Sequence, residues 1–316
     1  MAEASACPLC TSSHLSVLQS IASRDVVALF AGSAVEPASE FGALMRLEYL
    51  RCQNCDLRFF WPAVTGSERF YDQLQGTEQY YQEEKPEFDF ARRYLNNDDV
   101  LLEVGCGAGA FGASTRVKRY VGLEFSAKAA SAARAKGLMV LQETIEAHSQ
   151  ANPGHYDAVC AFQVLEHTST PHSFLRSCLA ALKPSGCLIV SVPSVDSFAR
   201  GVINFALDLP PHHVTRWSDR CLNGVSRVLP LELVELWHEP LQAVHRRLYV
   251  TSAVTRFGYR LLRREPPAVE TGACARLLAM SGSKISRIIA PALSMFPARG
   301  ISVTAIYRKL KKLKGR

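Results

Sequence analysis

Nine consecutive residues carry most of the chemical information in this chain: Leu101-Leu102-Glu103-Val104-Gly105-Cys106-Gly107-Ala108-Gly109. An apolar run meets glycines at alternate positions, and small residues follow. Glycine lets a backbone bend sharply and approach a ligand with no Cβ in the way. The pattern reads as strand, loop, helix. Glu124 stands nineteen residues beyond Gly105, about where a carboxylate ending the next strand accepts both hydroxyls of a ribose. A dinucleotide would satisfy this much, because Gly105-x-Gly107-x-x-Ala110 is a passable fingerprint for one. Glu103 separates the alternatives. A carboxylate near the loop repels a pyrophosphate and attracts an ammonium or sulfonium.

The second reactive set is four thiols. Cys7-Pro8-Leu9-Cys10 and Cys52-Gln53-Asn54-Cys55 are two C-x-x-C pairs separated by 41 residues. Each pair can turn two sulfurs toward one point, and four thiolates satisfy a tetrahedral Zn²⁺ with no open position, so the expected zinc is structural. The N-terminus lacks a signal pattern, and a cytoplasmic chain is expected to favour metal over disulfide. Cys106, Cys160, Cys178, Cys187, Cys221 and Cys274 mostly fall in apolar runs and read as small core residues.

Bases for a proton transfer come from two later segments. His167 follows Glu166, and His212 and His213 lie in Leu209-Pro210-Pro211-His212-His213-Val214-Thr215-Arg216-Trp217-Ser218. A histidine near its reference pKa accepts a proton at neutral pH. Glu166 reads as an acceptor for loop amides, and Arg216 as a solvated charge or a hold on an anionic acceptor.

The elements that must position these groups alternate strand and helix. Tyr120 to Ser126 is a second strand ending in its acid. Ala127 to Lys136 is an alanine-rich helix stopped by Gly137. Leu138 to Leu141 is a third strand. Gln142 to Glu146, with Thr144 and Ile145, forms a loop that would pass an adenine. Tyr156 to Phe162 is a fourth strand, running into Gln163-Val164-Leu165-Glu166-His167. A helix opened by Pro171 ends at the Leu182-Lys183-Pro184-Ser185-Gly186 turn, and Cys187 to Val192 is a fifth strand. This alternation predicts an α/β, doubly wound, mostly parallel sheet, with ligands beyond the carboxyl ends of its strands.

In this order the motifs resemble those of the class I S-adenosylmethionine-dependent methyltransferases, from about Val100 to Pro193 and more weakly through Trp237. The residues that carry the resemblance are Leu102 to Gly109, Val121 to Ser126, Phe162 to His167 and Leu182 to Gly186. It implies a seven-stranded sheet with one antiparallel strand near an edge. It also implies cofactor contacts for Glu103, Gly105, Gly107, Glu124 and Gln163, to which the surrounding loops add Cys106, Gly109, Phe125, Thr144 and Ile145. Many relatives have Asp where Glu124 stands. Zinc-bearing N-terminal segments occur in the sugar methyltransferases of natural-product and cell-surface polysaccharide pathways. They also occur in ribosomal-RNA guanine methyltransferases, where the second pair tends to include a histidine. The Cys-x-x-Cys second pair favours the first group. The expected acceptor is a small molecule such as a sugar nucleotide or a surface-glycan sugar. The rivals are an RNA methyltransferase and a catalytically silent interaction module.

Charge bears on those rivals. The net charge is +7, and Arg308, Lys309, Lys311, Lys312, Lys314 and Arg316 hold six of the excess positives, with no acid after Glu270. A basic tail could touch an anionic membrane or RNA, or be a solvated and frayed terminus, but a broad nucleic-acid face needs basic residues spread across a surface. No apolar run approaches the ~18 residues of a spanning helix. The expected organisation is a zinc-binding segment at 1–65, lid and linker helices at 66–96, a methyltransferase core at 97–253, a helical insertion at 254–300, a last core strand at 301–308 and a basic tail at 309–316. Tyr71, Tyr80 and Tyr81 belong to the expected lid. The insertion reads as a substrate cover, or as a docking surface for a membrane or a second subunit.

Overall fold

The structure is a computed structural model that describes residues 4–75, 84–295 and 298–311. Tyr80, Tyr81 and the last five residues of the basic tail lie outside the described residues. Among the described residues eleven strands form two sheets. In chain order they are β1 (Leu15–Ala22), β2 (Arg46–Cys52), β3 (Arg58–Trp61), β4 (Val100–Val104), β5 (Arg119–Leu123), β6 (Val140–Leu141), β7 (Tyr156–Phe162), β8 (Leu182–Pro193), β9 (Thr215–Arg216), β10 (Leu231–Pro240) and β11 (Arg299–Lys309).

The larger sheet has the order β10-β11-β8-β7-β4-β5-β6. Strands β8 to β6 run parallel, whereas β11 pairs antiparallel with both β8 and β10. It is the expected mostly parallel seven-stranded sheet with an antiparallel strand near one edge. Helices cover both faces, so central strands are buried on both sides and read as continuous apolar runs. Every residue of β7 except Asp157 is buried. Strand order reverses between β4 and β7, which opens a crevice beyond their carboxyl ends. The helix Pro86–Arg92 covers one face, with Phe88 against Phe111 and Phe162, and Phe90 stacked on Trp237.

Two local expectations are corrected. Leu182-Lys183-Pro184-Ser185-Gly186 is not a separate turn but the start of β8. Tyr156 pairs with Leu182 and Ala158 with Cys187, so the residues between bulge from the ladder. The bulge sets the Lys183 ammonium on the Asp157 carboxylate at 2.7 and 2.8 Å. The third strand is only Val140–Leu141. Leu138 is instead spent against Gly109, where an added Cβ would come within 2.4 Å of Leu138 Cδ1.

The smaller sheet has the order β1-β2-β3-β9. Its last strand comes from more than 150 residues downstream of β3. Arg216 of β9 lies over the rings of Tyr49 and Phe60 at 4.9 and 5.2 Å and pairs with Asp208 at 3.0 Å. It is not a solvated charge: it ties β9 to β2 and β3 within the smaller sheet and to the loop that carries Asp208, at the wall of the cleft. Cys7, Leu9, Cys52, Cys55 and Leu57 share one apolar core with Trp217, Cys221 and the β7–β8 layer.

Between β10 and β11 runs a helical hairpin, Arg246–Leu261 and Ala273–Ile289. It starts eight residues before the expected 254. The helices approach closely because small residues sit at the contact: a Cβ on Gly258 would meet Leu278 at 2.4 Å, and one on Gly282 would meet the Thr251 backbone at 2.9 Å. Among the described residues no helix is long and apolar enough to cross a membrane.

Candidate active site

The crevice is a cleft of about 2570 Å³. Small-molecule sites are commonly ~300–1,000 Å³, so this one has room for a nucleoside cofactor and an acceptor together. Of the expected cofactor residues, Glu103, Gly105, Cys106, Gly107, Glu124, Phe125, Thr144, Ile145 and Gln163 line it, as do His167, His212 and His213. Gly109 does not line it. It takes a left-handed φ of +76° as the cap of the short helix Ala110–Ser114, so its part is to shape the loop.

The glycine loop is held by the strand beside it. Gly105 (φ +70°) and Gly107 (φ +53°) adopt left-handed conformations, which other residues enter at a cost. The amides of Gly105 and Cys106 both donate to Leu123 O. Glu124 completes the loop: Oε2 accepts from the Gly107 amide at 2.9 Å and Oε1 from the Ser126 amide at 2.8 Å. Each carboxylate oxygen keeps further acceptor capacity. Phe125 is 67% exposed on the rim. Thr144 caps the helix Ile145–Ala151 through the Ala147 amide, while Ile145 is buried.

Glu103 is buried at the end of β4 and accepts from Tyr120 Oη at 2.5 Å. Burial pushes its carboxyl up to about 8, although the Tyr120 hydrogen bond and the Lys85 ammonium oppose the rise. A cation in the cleft would reverse that shift. Gln163 has φ +57°, the kind of backbone strain that clusters at functional sites. Its amide lies 3.2–3.3 Å from Glu87 Oε1, Ser191 Oγ and Ser302 Oγ. Lys85 and Glu87, which sequence reasoning passed over, therefore belong to the cleft wall.

The three histidines converge from two loops tied by backbone bonds. Val214 N donates to Glu166 O at 2.9 Å, and His212 and His213 N both donate to Leu209 O. His212 stacks on His213 at 4.4 Å between ring centroids, and His167 meets both edge-on. Tyr71, on the helix Glu68–Gln75, lies edge-on to His167 with its Oη 3.2 Å from Nδ1. His213 thus packs against histidines. The proton-acceptor expectation assumed ordinary titration, and burial changes that. It lowers His167 to about 4, with opposition from the carbonyls of His212 and Gln163, and holds His212 and His213 well below the usual range. All three rings are neutral at neutral pH, and weak bases.

Glu166 departs furthest from its sequence reading. It is 1% exposed, and among the described residues neither carboxylate oxygen has a hydrogen-bond partner. Burial raises it to about 8, with its own backbone amide opposing the rise.

The cysteine cluster stands apart from the cleft. Cys7 Sγ lies 3.6 Å from Cys55 Sγ, and Cys10 Sγ 3.6 Å from Cys52 Sγ, with all four sulfurs within 4.8 Å of one another. A disulfide would need ~2.05 Å. A tetrahedral ion with Zn–S bonds of ~2.3 Å sets its sulfurs ~3.8 Å apart, so the donor set fits.

This sheet order, with its glycine loop and acid-tipped second strand, defines the class I methyltransferase fold. The chain belongs to the methyltransferase-domain family, whose sequence profile matches residues 76–239, just over half of the chain. Similar proteins include the ubiquinone biosynthesis O-methyltransferase of Serratia proteamaculans, 36% identical over 102 residues, which are 30% of this chain and 42% of that protein. The enzyme of the same name from Vibrio campbellii is 37% identical over 99 residues, 29% of this chain and 42% of that protein. The chain thus spans about two fifths of the length of the curated relatives it matches. Among solved structures, a SAM dependent methyltransferase from Archaeoglobus fulgidus superposes with a TM-score of 0.50 at 17% identity, over 76% of this chain and 100% of that one.

Proposed function

We propose that the chain is an S-adenosylmethionine-dependent methyltransferase for a small hydroxylated acceptor, such as a sugar or sugar nucleotide. The observation that carries this reading is the pair of carboxylates, Glu103 and Glu124, at the loop of the switch-point crevice. Bound there, S-adenosylmethionine supplies a methyl group on a sulfonium. Glu124 presents its remaining lone pairs to ribose hydroxyls, Phe125 offers an exposed ring to the adenine, and Glu103 balances the cationic end. The acceptor occupies the remaining volume toward His167, His212 and His213. The family membership supports the chemistry, and a hydroxyl acceptor is in keeping with relatives that are named O-methyltransferases. Incubation with methyl-labelled cofactor and metabolite extracts, followed by mass identification, tests it. Labelled small-molecule product is expected; label only in RNA would sink the reading.

Glu103 makes the cofactor half testable by pH. Its raised pKa means the free protein holds a proton there below about pH 8, which a cationic ligand must displace. Calorimetric Kd values for S-adenosylmethionine should therefore rise as pH falls from 7 to 6, by up to ~10-fold. Glu103→Gln should bind weakly at both pH values and lose that slope.

The cysteine cluster is assigned a structural Zn²⁺ on its sulfur spacing. The helical hairpin is assigned a peripheral contact with an anionic membrane. Phe257, Leu261, Leu277, Met280 and Ile288 are exposed on it. Its two helices carry seven Arg or Lys residues and no Asp or Glu. Apolar and basic groups together are what an anionic bilayer surface recognises. Flotation with vesicles containing phosphatidylserine should recover the protein at low salt, and Ile288→Glu with Leu277→Glu should release it. Equal recovery on neutral vesicles would refute the contact.

A further inference from the structure

The smaller sheet turns a row of arginines toward the cleft, and the methyl-transfer reading leaves that row unexplained. Arg51 of β2 stands opposite Arg58 of β3, and Arg58 stands opposite Arg216 of β9. Directly opposed residues of antiparallel strands project from the same face, so three guanidinium stems stand side by side at strand spacings of ~4.8 Å. All three residues line the cleft. Leu50 and Phe59, one position along their strands, face the other way into the core shared with the cysteine cluster. Like charges directly opposite each other destabilise a sheet, so each charge in the row needs an offset.

Two of the three have one. Arg51 pairs with Asp56, and Arg216 pairs with Asp208 at 3.0 Å. Both carboxylates are committed further, Asp56 to the Ser218 hydroxyl and Asp208 to His213 Nδ1. Arg58, in the middle, has no ion pair among the described residues, and its Nε is buried without a hydrogen-bond partner. A guanidinium does not give up its proton in a protein, so three positive charges meet two negative ones and the central charge is left over. The Asp208 carboxylate links Arg216 to His213. The row therefore begins beside the histidines, at the acceptor end of the cleft.

We propose that Arg58, flanked by Arg51 and Arg216, is a binding subsite for a phosphate or diphosphate ester carried by the methyl acceptor. A guanidinium grips phosphate oxygens with two parallel N–H donors, which an ammonium cannot do. A neutral acceptor leaves the central charge without a partner. S-adenosylmethionine carries no phosphate, and its carboxylate travels with its ammonium toward Glu103, where Lys85 is the cation at hand. The subsite therefore selects phosphorylated or nucleotide-linked acceptors over free sugars. That the phosphate belongs to the acceptor rests on the methyltransferase reading; the anion site itself does not.

Calorimetry on the full chain at constant ionic strength tests it, with pyrophosphate, uridine diphosphate, sulfate and a single-stranded oligoribonucleotide as probes. Pyrophosphate and uridine diphosphate should bind at least ~10-fold more tightly than sulfate. Arg58→Gln should weaken both by ~10-fold or more, the loss of one charged hydrogen bond or two. Arg58→Lys, which keeps the charge and loses the fork, should fall between. Saturating pyrophosphate should raise the Tm of the wild type and leave that of Arg58→Gln in place. The unliganded Arg58→Gln protein should melt no lower than the wild type, because no partner loses a bond. Failure of the wild type to bind either diphosphate overturns the proposal. So does unchanged diphosphate affinity in both variants, which makes Arg58 structural. Tighter binding of the oligoribonucleotide than of uridine diphosphate also overturns it, in favour of a polymer. A separate titration of the wild type with S-adenosylmethionine reads the cofactor site alone. Diphosphate binding without cofactor binding sinks the methyltransferase reading, and the reverse sinks the subsite.

Discussion

Gly107→Arg is expected to abolish detectable binding of S-adenosylmethionine, raising Kd by more than ~100-fold, while the protein stays folded. Gly107 lines the cleft, and its amide is fixed on Glu124 Oε2. Its φ of +53° costs a non-glycine residue ~1–2 kcal/mol, too little to unfold a domain. Two further effects fall on the ligand alone. The long side chain fills space where the nucleoside must pass, and its guanidinium either repels a cationic ligand or pairs with Glu124 and takes its acceptor capacity. A loss of ~3 kcal/mol already corresponds to more than 100-fold. Calorimetry with unchanged circular dichroism checks it. Wild-type affinity in the variant would remove the glycine loop from the cofactor site.

The second large effect is on stability. Stripping the metal from the four cysteines, or Cys52→Ser, should lower Tm by ~8 °C or more. Structural zinc contributes ~10–16 kcal/mol to the folding of isolated zinc-finger peptides. Here the buried thiols can be partly retained as apolar groups, so a loss of ~4 kcal/mol is the expectation, at ~2 °C per kcal/mol for a chain of this size. Because Cys7, Cys52 and Cys55 share a core with Trp217 and the β7–β8 layer, a single transition should shift as a whole. An unshifted melt after chelation, with metal analysis confirming its removal, would refute the assignment.

The core fold is legible because buried parallel strands are continuous apolar runs and their helices end at glycines. Both signals are local. The two misplaced boundaries are places where a tertiary contact decides: Lys183 on Asp157 draws the Pro184 turn into β8, and Leu138 leaves its strand to pack on Gly109. The expected cofactor residues could be marked because they sit at fixed offsets from the glycine loop. The histidines could be marked as chemically able, yet not as weak bases, because burial comes from two loops meeting across 45 residues. Glu166 was misread for the same reason. Residue type predicts a carboxylate within reach of donors and solvent; only the packed structure shows this one 1% exposed. Arg216 looked like a surface charge because the rings it covers come from the far end of the sequence.

The strand that closes the smaller sheet also sets an order of events. Asp56, one residue past the last cysteine of the cluster, receives a hydrogen bond from Ser218, 162 residues later. At a synthesis rate of ~5–20 residues per second, roughly 8–30 s separate the emergence of the two. Throughout that interval the four thiols are on a nascent chain without β9, Trp217 or Cys221 to bury them. On the zinc reading proposed above, this is the interval in which the unburied thiols would take up an ion or be oxidised.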